Sequence, residues 1–473
     1  MKRICLVQAP PASQFDKHWA RFPVLGLAYV AAMVREAGHN VLVIDGKLED
    51  LSVDALVERI LGFEPDLIGF TCMTVEFPLV KHISEKVRPF TSAPLVIGGA
   101  HVNATYDSAM LECPAIDFAC IGEGEQVIVE LIAMLEGKIT VRDIQGIAYR
   151  HGGMVFRTPQ RAYPADYDIF PFPAWDLFKV GDQIPILTHR GCPYRCTFCG
   201  HNSGFKARFR SVQNVLLEIE QICERYAPRV IRFEDETFGL DARRTTALLE
   251  GIIERGIHKK VSFSAQTRVD RIDLRIVNLL RDCNFQTLEL GIESGNPAIL
   301  KSIRKGINLD QVDRAVALAK VAGLSVWCKF ILGHPNETRS AIKDTIKYAT
   351  KLNPKQLSVS IMTPFPGTPI HDMAVRGESG YKLLARGWSD YDKYSTGVLE
   401  LDDVPLYMLK YYQIQCYLSL YVRNGRILEL LVLAWNHRRM ATEMIFGLLT
   451  SCAARLGLRS GGARTRAERV SVK

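Results

Sequence analysis

A chain of 473 residues is long enough for two or three domains, each with a core of its own. Its apolar fraction of 48% and charged fraction of 23% are those of an ordinary water-soluble globular protein and exclude a disordered or membrane-embedded one. The net charge of +8 is not the footprint of a specific nucleic-acid binder: in 455–473 five arginines and Lys473 stand against Glu468, and the other 454 residues carry only +3.

Residues 1–140 alternate between apolar runs and helical patterns. The runs at 3–8 (RICLVQ), 40–45 (NVLVID), 66–71 (DLIGFT), 94–99 (PLVIGG) and 117–122 (DFACIG) read as buried parallel strands. Helical patterns lie between them, such as 25–37, closed by Gly38. Such βα units predict a doubly wound parallel sheet whose ligand sits at the carboxyl ends of the strands. The loops there are short and rich in small residues: QAPPAS (8–13), TCMT (71–74), GGAH (98–101) and GEGE (122–125). Glycine there lets a large flat ligand approach the backbone. No dinucleotide fingerprint follows the first strand, where prolines stand instead. GEGE alone is as readily a tight turn before a helix.

Residues 141–183 read as a linker, irregular and packed by aromatics through the proline-rich stretch 157–177. From 184 to 375 a second series follows: IPILTHR, RVIRFED, VSFSAQ, TLELGIES, SVWCKFILG and QLSVSIMTP, again with helical patterns between. These βα units predict a partial (β/α)6 barrel with its chemistry at the C-terminal strand ends. From 376 to 450 the alternation stops, and a helical region centred on 407–422 is expected. Tyrosines 407, 411, 412, 417 and 421 fall at helical spacing and read as packing, while Trp388, Tyr391 and Tyr394 are candidates for a substrate pocket. The basic tail 451–473 reads as solvated and disordered. The most apolar stretch, 427–435, is too short to span a bilayer and is interrupted by Glu429, so at most peripheral membrane contact is expected.

Twelve cysteines are scattered along the chain, with one cluster: Cys192, Cys196 and Cys199 in GCPYRCTFCG. The N-terminus lacks the long apolar run of a signal peptide, so a cytoplasmic protein with thiols free or bound to metal is expected. Thiolates hold zinc or iron–sulfur clusters. His201 makes a Cys3His zinc site conceivable, but structural zinc sites pair C-x2-C with a distant second pair, which is missing here. A cubane cluster on three thiolates leaves one iron open to a small ligand.

The C-x3-C-x2-C spacing, with Phe198 before the last cysteine and a barrel strand just upstream, resembles the radical S-adenosylmethionine (SAM) superfamily. The resemblance implies a [4Fe-4S] cluster on Cys192, Cys196 and Cys199, with SAM chelated at the open iron and cleaved by one electron to a 5′-deoxyadenosyl radical. It implies SAM contacts at Phe198 (adenine) and at Asp235 and Glu236, which replace the family's GGEP motif. It also implies contacts at Arg268 (carboxylate), Glu293, Ser294, Ile331 and Gly333, with an acid at Glu337. The first domain resembles the cobalamin-binding fold that precedes the barrel in one branch of this superfamily. That implies cobalamin contacts at Thr71, Gly98, Gly99, His101, Gly122 and Glu123. The D-x-H-x-x-G loop that supplies a cobalt ligand in many cobalamin proteins is absent, so no protein histidine is expected on cobalt; His101 is the nearest one.

Together the resemblances imply a cobalamin-dependent radical SAM methyltransferase that methylates an unactivated carbon of a small biosynthetic intermediate via methylcobalamin, and an apolar or aromatic substrate is the expectation. A cellular one-electron reductant such as flavodoxin or ferredoxin is the expected partner. The alternative is an oxidative cyclase or oxygen-inserting enzyme similar to anaerobic magnesium-protoporphyrin cyclase, without methyl transfer; a third reading is a non-catalytic corrinoid- or cluster-binding module.

Overall fold

A computed structural model describes residues 1–13, 22–392 and 397–436, and beyond them Arg438, 441–442, 445–446 and 448–449. Tyr394 and the tail 451–473 lie outside the described residues. The five strands expected in the first domain form as β1 (Arg3–Gln8), β2 (Asn40–Asp45), β3 (Leu67–Thr71), β4 (Leu95–Gly98) and β5 (Phe118–Cys120). They are parallel, in the order β2-β1-β3-β4-β5. The order reverses between β1 and β3, the switch point where such sheets open a crevice. Alternate residues of each strand feed two cores. Cys5, Val7, Ile68 and Phe70 pack on the helices Val53–Gly62 and Phe77–Val87. Ile4, Leu6, Leu67 and Val96 pack on the helices Leu25–Glu36 and Glu125–Leu135.

The sheet does not end at β5. β6 (Ile147–His151) and β7 (Met154–Arg157) add an antiparallel hairpin on β5, inside the stretch expected to be linker. The signal was the turn Gly152-Gly153, both at positive φ, between two short alternating runs. The remainder of that stretch is irregular and aromatic, with Tyr167, Phe170 and Trp175 buried.

The second domain opens with β8 (Gln183–Ile186). A short antiparallel pair, β9 (His189–Arg190) and β10 (Arg208–Phe209), then closes the base of the loop that carries the three cysteines. β11 (Val230–Phe233), β12 (Ser262–Thr267), β13 (Phe285–Glu293), β14 (Ser325–Leu332) and β15 (Gln356–Ile361) complete a six-stranded parallel sheet with β8. The partial barrel is thus as expected. On β14, Val326, Cys328, Phe330 and Leu332 are buried, while Trp327, Lys329 and Ile331 alternate with them and are half-buried. Ser211, Asp241, Asp273, Asn308 and Thr338 each cap a barrel helix by accepting a backbone N–H.

The region after 376 is not purely helical. β16 (Tyr381–Leu383) and β17 (Leu399–Leu401) pair antiparallel before the helices Leu406–Arg423 and Ile427–Asn436. Tyr412 and Tyr421 are buried, and the Tyr417 hydroxyl accepts the Val359 N–H at 3.2 Å, so these tyrosines pack the helix on the barrel. Among the described residues no helix is long and apolar enough to cross a membrane.

Candidate active site

The cysteine loop leaves the C-terminal end of the first barrel strand and is pinned by backbone. Cys192 N–H bonds Gly204 O at 3.1 Å, Thr197 N–H bonds Ile303 O at 3.1 Å, and Ile370 N–H bonds Thr197 O at 3.2 Å. Gly191 has φ +87°, and a Cβ there would collide with the Lys206 carbonyl. Cys196 is buried; Cys192 and Cys199 are half-buried. Burial pushes the Cys196 and Cys199 thiols up, opposed at Cys196 by Lys305 and Arg268. His201 turns to Phe205, with ring centroids 4.2 Å apart. Among the described residues no group of three or more His, Cys, Asp or Glu side chains is gathered as a single metal ion requires.

A cavity of about 500 Å3 lies between the C-terminal strand ends of the two domains. Thr71, Gly98, Gly99, Gly122 and Glu123 line its first-domain wall; Cys192, Cys199 and Glu236 line the facing wall. Its inner end is an apolar slot between sheet and helices, walled by Leu6, Leu27, Val96, Val127 and Leu131. Small residues keep it open: a Cβ on Gly69 would lie 3.0 Å from Leu6 Cδ2. Gly99 has φ +100° and ψ −175°, a region essentially reserved for glycine, and a Cβ there would lie 2.8 Å from the Cys72 backbone. Gly99→Ala is therefore expected to cost about 1–3 kcal/mol of stability by urea denaturation. A glycine-edged shelf over an apolar slot would fit a large flat corrin. The loop on the opposite wall, with Cys192 and Cys199 at the cavity and Cys196 buried, carries three thiols that would fit a cluster with one open iron.

The structure separates residues that the sequence treated alike. His101 is fully buried below the cavity, its ring 4.7 Å from Phe77 and 4.9 Å from Trp388. It is not on the cavity wall, and burial lowers its pKa to about 4. Asp235 is also enclosed: its carboxylate accepts from Thr188 N at 2.7 Å, Thr188 Oγ1 at 2.8 Å and His189 N at 3.2 Å. Glu236, one residue on, faces the cavity and accepts the Gly191 N–H at 3.3 Å.

On the other side of the loop, Arg268 donates to Asp270 at 3.0 Å and stacks 3.5 Å from the ring centre of Tyr194, which lies between the first two cysteines. Glu293 has φ +73° and accepts from Lys305 Nζ at 2.6 Å. Lys305 also stands 5.8 Å over the half-buried Phe198 ring, and the His334 ring lies 6.3 Å from it. Ser294 is buried, bonded to Thr345 and the Asn296 N–H. Ile331 is half-buried near the end of β14. Gly333, at φ +95°, donates to Glu337 at 2.6 Å and accepts from the Tyr381 hydroxyl at 3.0 Å. Phe198, Glu293 and the loop after β14 thus meet around Lys305, while Ser294 and Gly333 hold backbone.

Burial raises the Glu337 carboxyl to about 7, against the pull of the Gly333 and His334 N–H groups. A raised folded-state pKa stabilises fully below the ordinary value near 4.5, and that contribution is lost as pH rises through about 7. Relative to Glu337→Gln, the wild type is expected to lose about 2–3 kcal/mol of unfolding free energy between about pH 5 and 9. Parallel urea curves at the two pH values check this.

Two clusters had no local signal. Arg190 and Arg208, the two ends of the cysteine-loop base, reach the GEGE loop. Arg190 pairs with Glu125 at 2.6 Å and Glu123 at 3.5 Å, and Arg208 pairs with Glu123 at 3.2 Å. The Tyr167 hydroxyl donates to Glu123 at 2.7 Å, and Arg190 lies over the Tyr29 and Tyr167 rings. GEGE is thus both turn and clamp: its four residues line the cavity, and its acids also hold the cysteine loop. The second cluster lies at a cavity of about 640 Å3 edged by Arg232, Glu234, Ser264, Glu289, Trp327 and Lys329 of the barrel, and by Tyr391. Glu289 is buried between Arg232 at 2.6 Å and Lys329 at 2.5 Å. Glu234 borders both cavities.

Residues 186–349 match the Radical SAM superfamily and residues 20–132 the B12 binding domain. The chain is 34% identical over 417 residues to the uncharacterized methyltransferase PH0819 of Pyrococcus horikoshii, covering 85% of this chain and 88% of that one. It is 28% identical over 394 residues to the anaerobic magnesium-protoporphyrin IX monomethyl ester cyclase of Rubrivivax gelatinosus, covering 79% and 69%. The fold matches the radical SAM methyltransferase TsrM of Kitasatospora setae, solved with cobalamin and a [4Fe-4S] cluster, at TM-score 0.73 and 16% identity over 89% of this chain and 91% of that one. The chain belongs to the cobalamin-dependent radical SAM methyltransferase family, whose cofactors are a [4Fe-4S] cluster, SAM and cobalamin.

Proposed function

We propose that this protein transfers a methyl group from SAM to an unactivated carbon of a small molecule. The observation that carries the reading is the shared cavity: the glycine-edged shelf of the first domain and the cysteine loop of the second face each other across about 500 Å3. Cobalamin would supply the methyl carrier and the cluster with SAM the radical, so the protein's part is binding, orientation and exclusion of water. In this reading Cys192, Cys196 and Cys199 hold the cluster. Glu236, Glu293, Phe198 and Ile331 hold SAM, with Arg268 keeping Tyr194 and the loop in place. Thr71, Gly98, Gly99, Gly122 and Glu123 hold the corrin. Residues 1–140, 184–375 and 376–450 act as cobalamin, radical and substrate-shaping regions, and the hairpin at 147–157 belongs with the first.

The substrate is assigned to the 640 Å3 cavity, which adjoins the cofactor cavity at Glu234. Its lining joins ion pairs to Trp327, Phe365 and Tyr391, which favours a molecule with polar groups as well as an apolar or aromatic part. A flavodoxin- or ferredoxin-like reductant in the cytoplasm would supply the electron.

The test is to count SAM products under reducing, anaerobic conditions with the true substrate. Methyl transfer yields S-adenosylhomocysteine and 5′-deoxyadenosine in equal amounts. Sustained absence of S-adenosylhomocysteine would overturn the proposal in favour of the cyclase reading, which the similarity to the Rubrivivax cyclase keeps as the second choice.

A further inference from the structure

The helix Ile427–Asn436 is apolar on two sides, and the barrel covers one of them. Leu430 and Leu433 pack against the barrel core. Leu428, Leu431, Val432 and Trp435 stand at i, i+3, i+4 and i+7, a spacing that lines up one face. They are 78%, 59%, 59% and 72% exposed. Leu418 and Val422 of the preceding helix are exposed as well, as are Ile445 and Leu449 farther on. Scattered exposed leucines are ordinary; a stripe of them marks a surface that meets another phase or partner.

The charge around the stripe is positive on balance. The only acid on this helix, Glu429, is held by Arg426 at 2.9 Å and Lys355 at 3.2 Å. Arg438 stands one turn past Trp435, its guanidinium 5.7 Å from the indole. In sequence Arg439 and one acid, Glu443, follow, and 455–473 then carry a net +5. An apolar face with a tryptophan, flanked by arginines, suits the boundary between the headgroups and acyl chains of an anionic bilayer. Among the described residues no helix is long and apolar enough to span one.

We propose that this helix lies flat on an anionic lipid surface, with Leu428, Leu431, Val432 and Trp435 in the acyl boundary and the following arginines on the headgroups. The test is co-sedimentation of the full chain with vesicles of phosphatidylcholine, with and without phosphatidylglycerol, at low and high salt; catalysis plays no part in it. The wild type should sediment with the phosphatidylglycerol vesicles, less at high salt, and little with phosphatidylcholine alone. L428S/L431S/W435S should lower the partition at least about tenfold while keeping the wild-type iron and sulfide content after reconstitution. A second variant ending at residue 454, which leaves every described helix in place, should lose most of the salt dependence. A wild type that stays in the supernatant, or a serine variant that binds vesicles as well as the wild type, overturns the proposal. So does a wild-type dimer that the serine variant abolishes without any lipid binding.

Discussion

Cys196→Ala is expected to leave a folded chain that holds no cluster and cleaves no SAM. Cys196 is the buried member of the three, and its loop is pinned by backbone bonds at Thr197 that the substitution leaves intact. Three thiolates are already one short of the usual complement for a cubane, so losing another leaves the iron without a stable hold. Alanine fits the buried site, and the cost to the metal-free fold should be about 1 kcal/mol. Formation of 5′-deoxyadenosine should fall at least about a thousandfold, since the cofactor carries the difficult chemistry. Iron content and deoxyadenosine formation are the measurements. A variant with wild-type values for both would remove the three-thiolate site from the account.

Arg190→Met should destabilise the fold and loosen the cysteine loop together. The Arg190 side chain is 11% exposed and pairs with Glu125, 5% exposed, as well as Glu123. Removing the cation strands the Glu125 carboxylate in a place made for an ion pair, and breaking a buried pair from one side costs about 3–5 kcal/mol. The helix start at Glu125 returns only part of that loss. Adding Glu125→Gln should recover some of the stability, and a double-mutant cycle by urea denaturation measures how much. Since β9 carries Arg190 directly before the cysteine loop, the single variant should also take up iron more slowly on reconstitution. A cost below about 1 kcal/mol would mean that the pair is no more than a surface contact.

What sequence showed and what it hid follow from range and direction. Both parallel sheets were legible because strands buried on two faces are written as unbroken apolar runs, and the cysteine cluster because its three thiols fall within eight residues, 192–199. Direction was not legible. At the end of β11, Asp235 and Glu236 are neighbours of one charge, yet one turns in to Thr188 and His189 and the other faces the cavity. His101 likewise follows the glycine shelf by two residues, but its ring points into the packing around Phe77 and Trp388. Long range was not legible either. The clamp from Arg190 to Glu125 joins residues 65 apart, and that from Arg208 to Glu123 joins residues 85 apart, and neither leaves a periodic trace. The hairpin at 147–157 was local and did leave one, but its short strands lie in a stretch dominated by the prolines that follow.

The central claim is that one cavity brings a corrin and a cluster together, and metal analysis after anaerobic reconstitution tests it most directly. The wild-type chain, supplied with iron, sulfide and cobalamin and then freed of excess, should retain about four irons and about one cobalt, with Cys196→Ala losing the iron and keeping the cobalt. A wild-type chain that binds the iron and passes cobalamin through unretained would contradict the account.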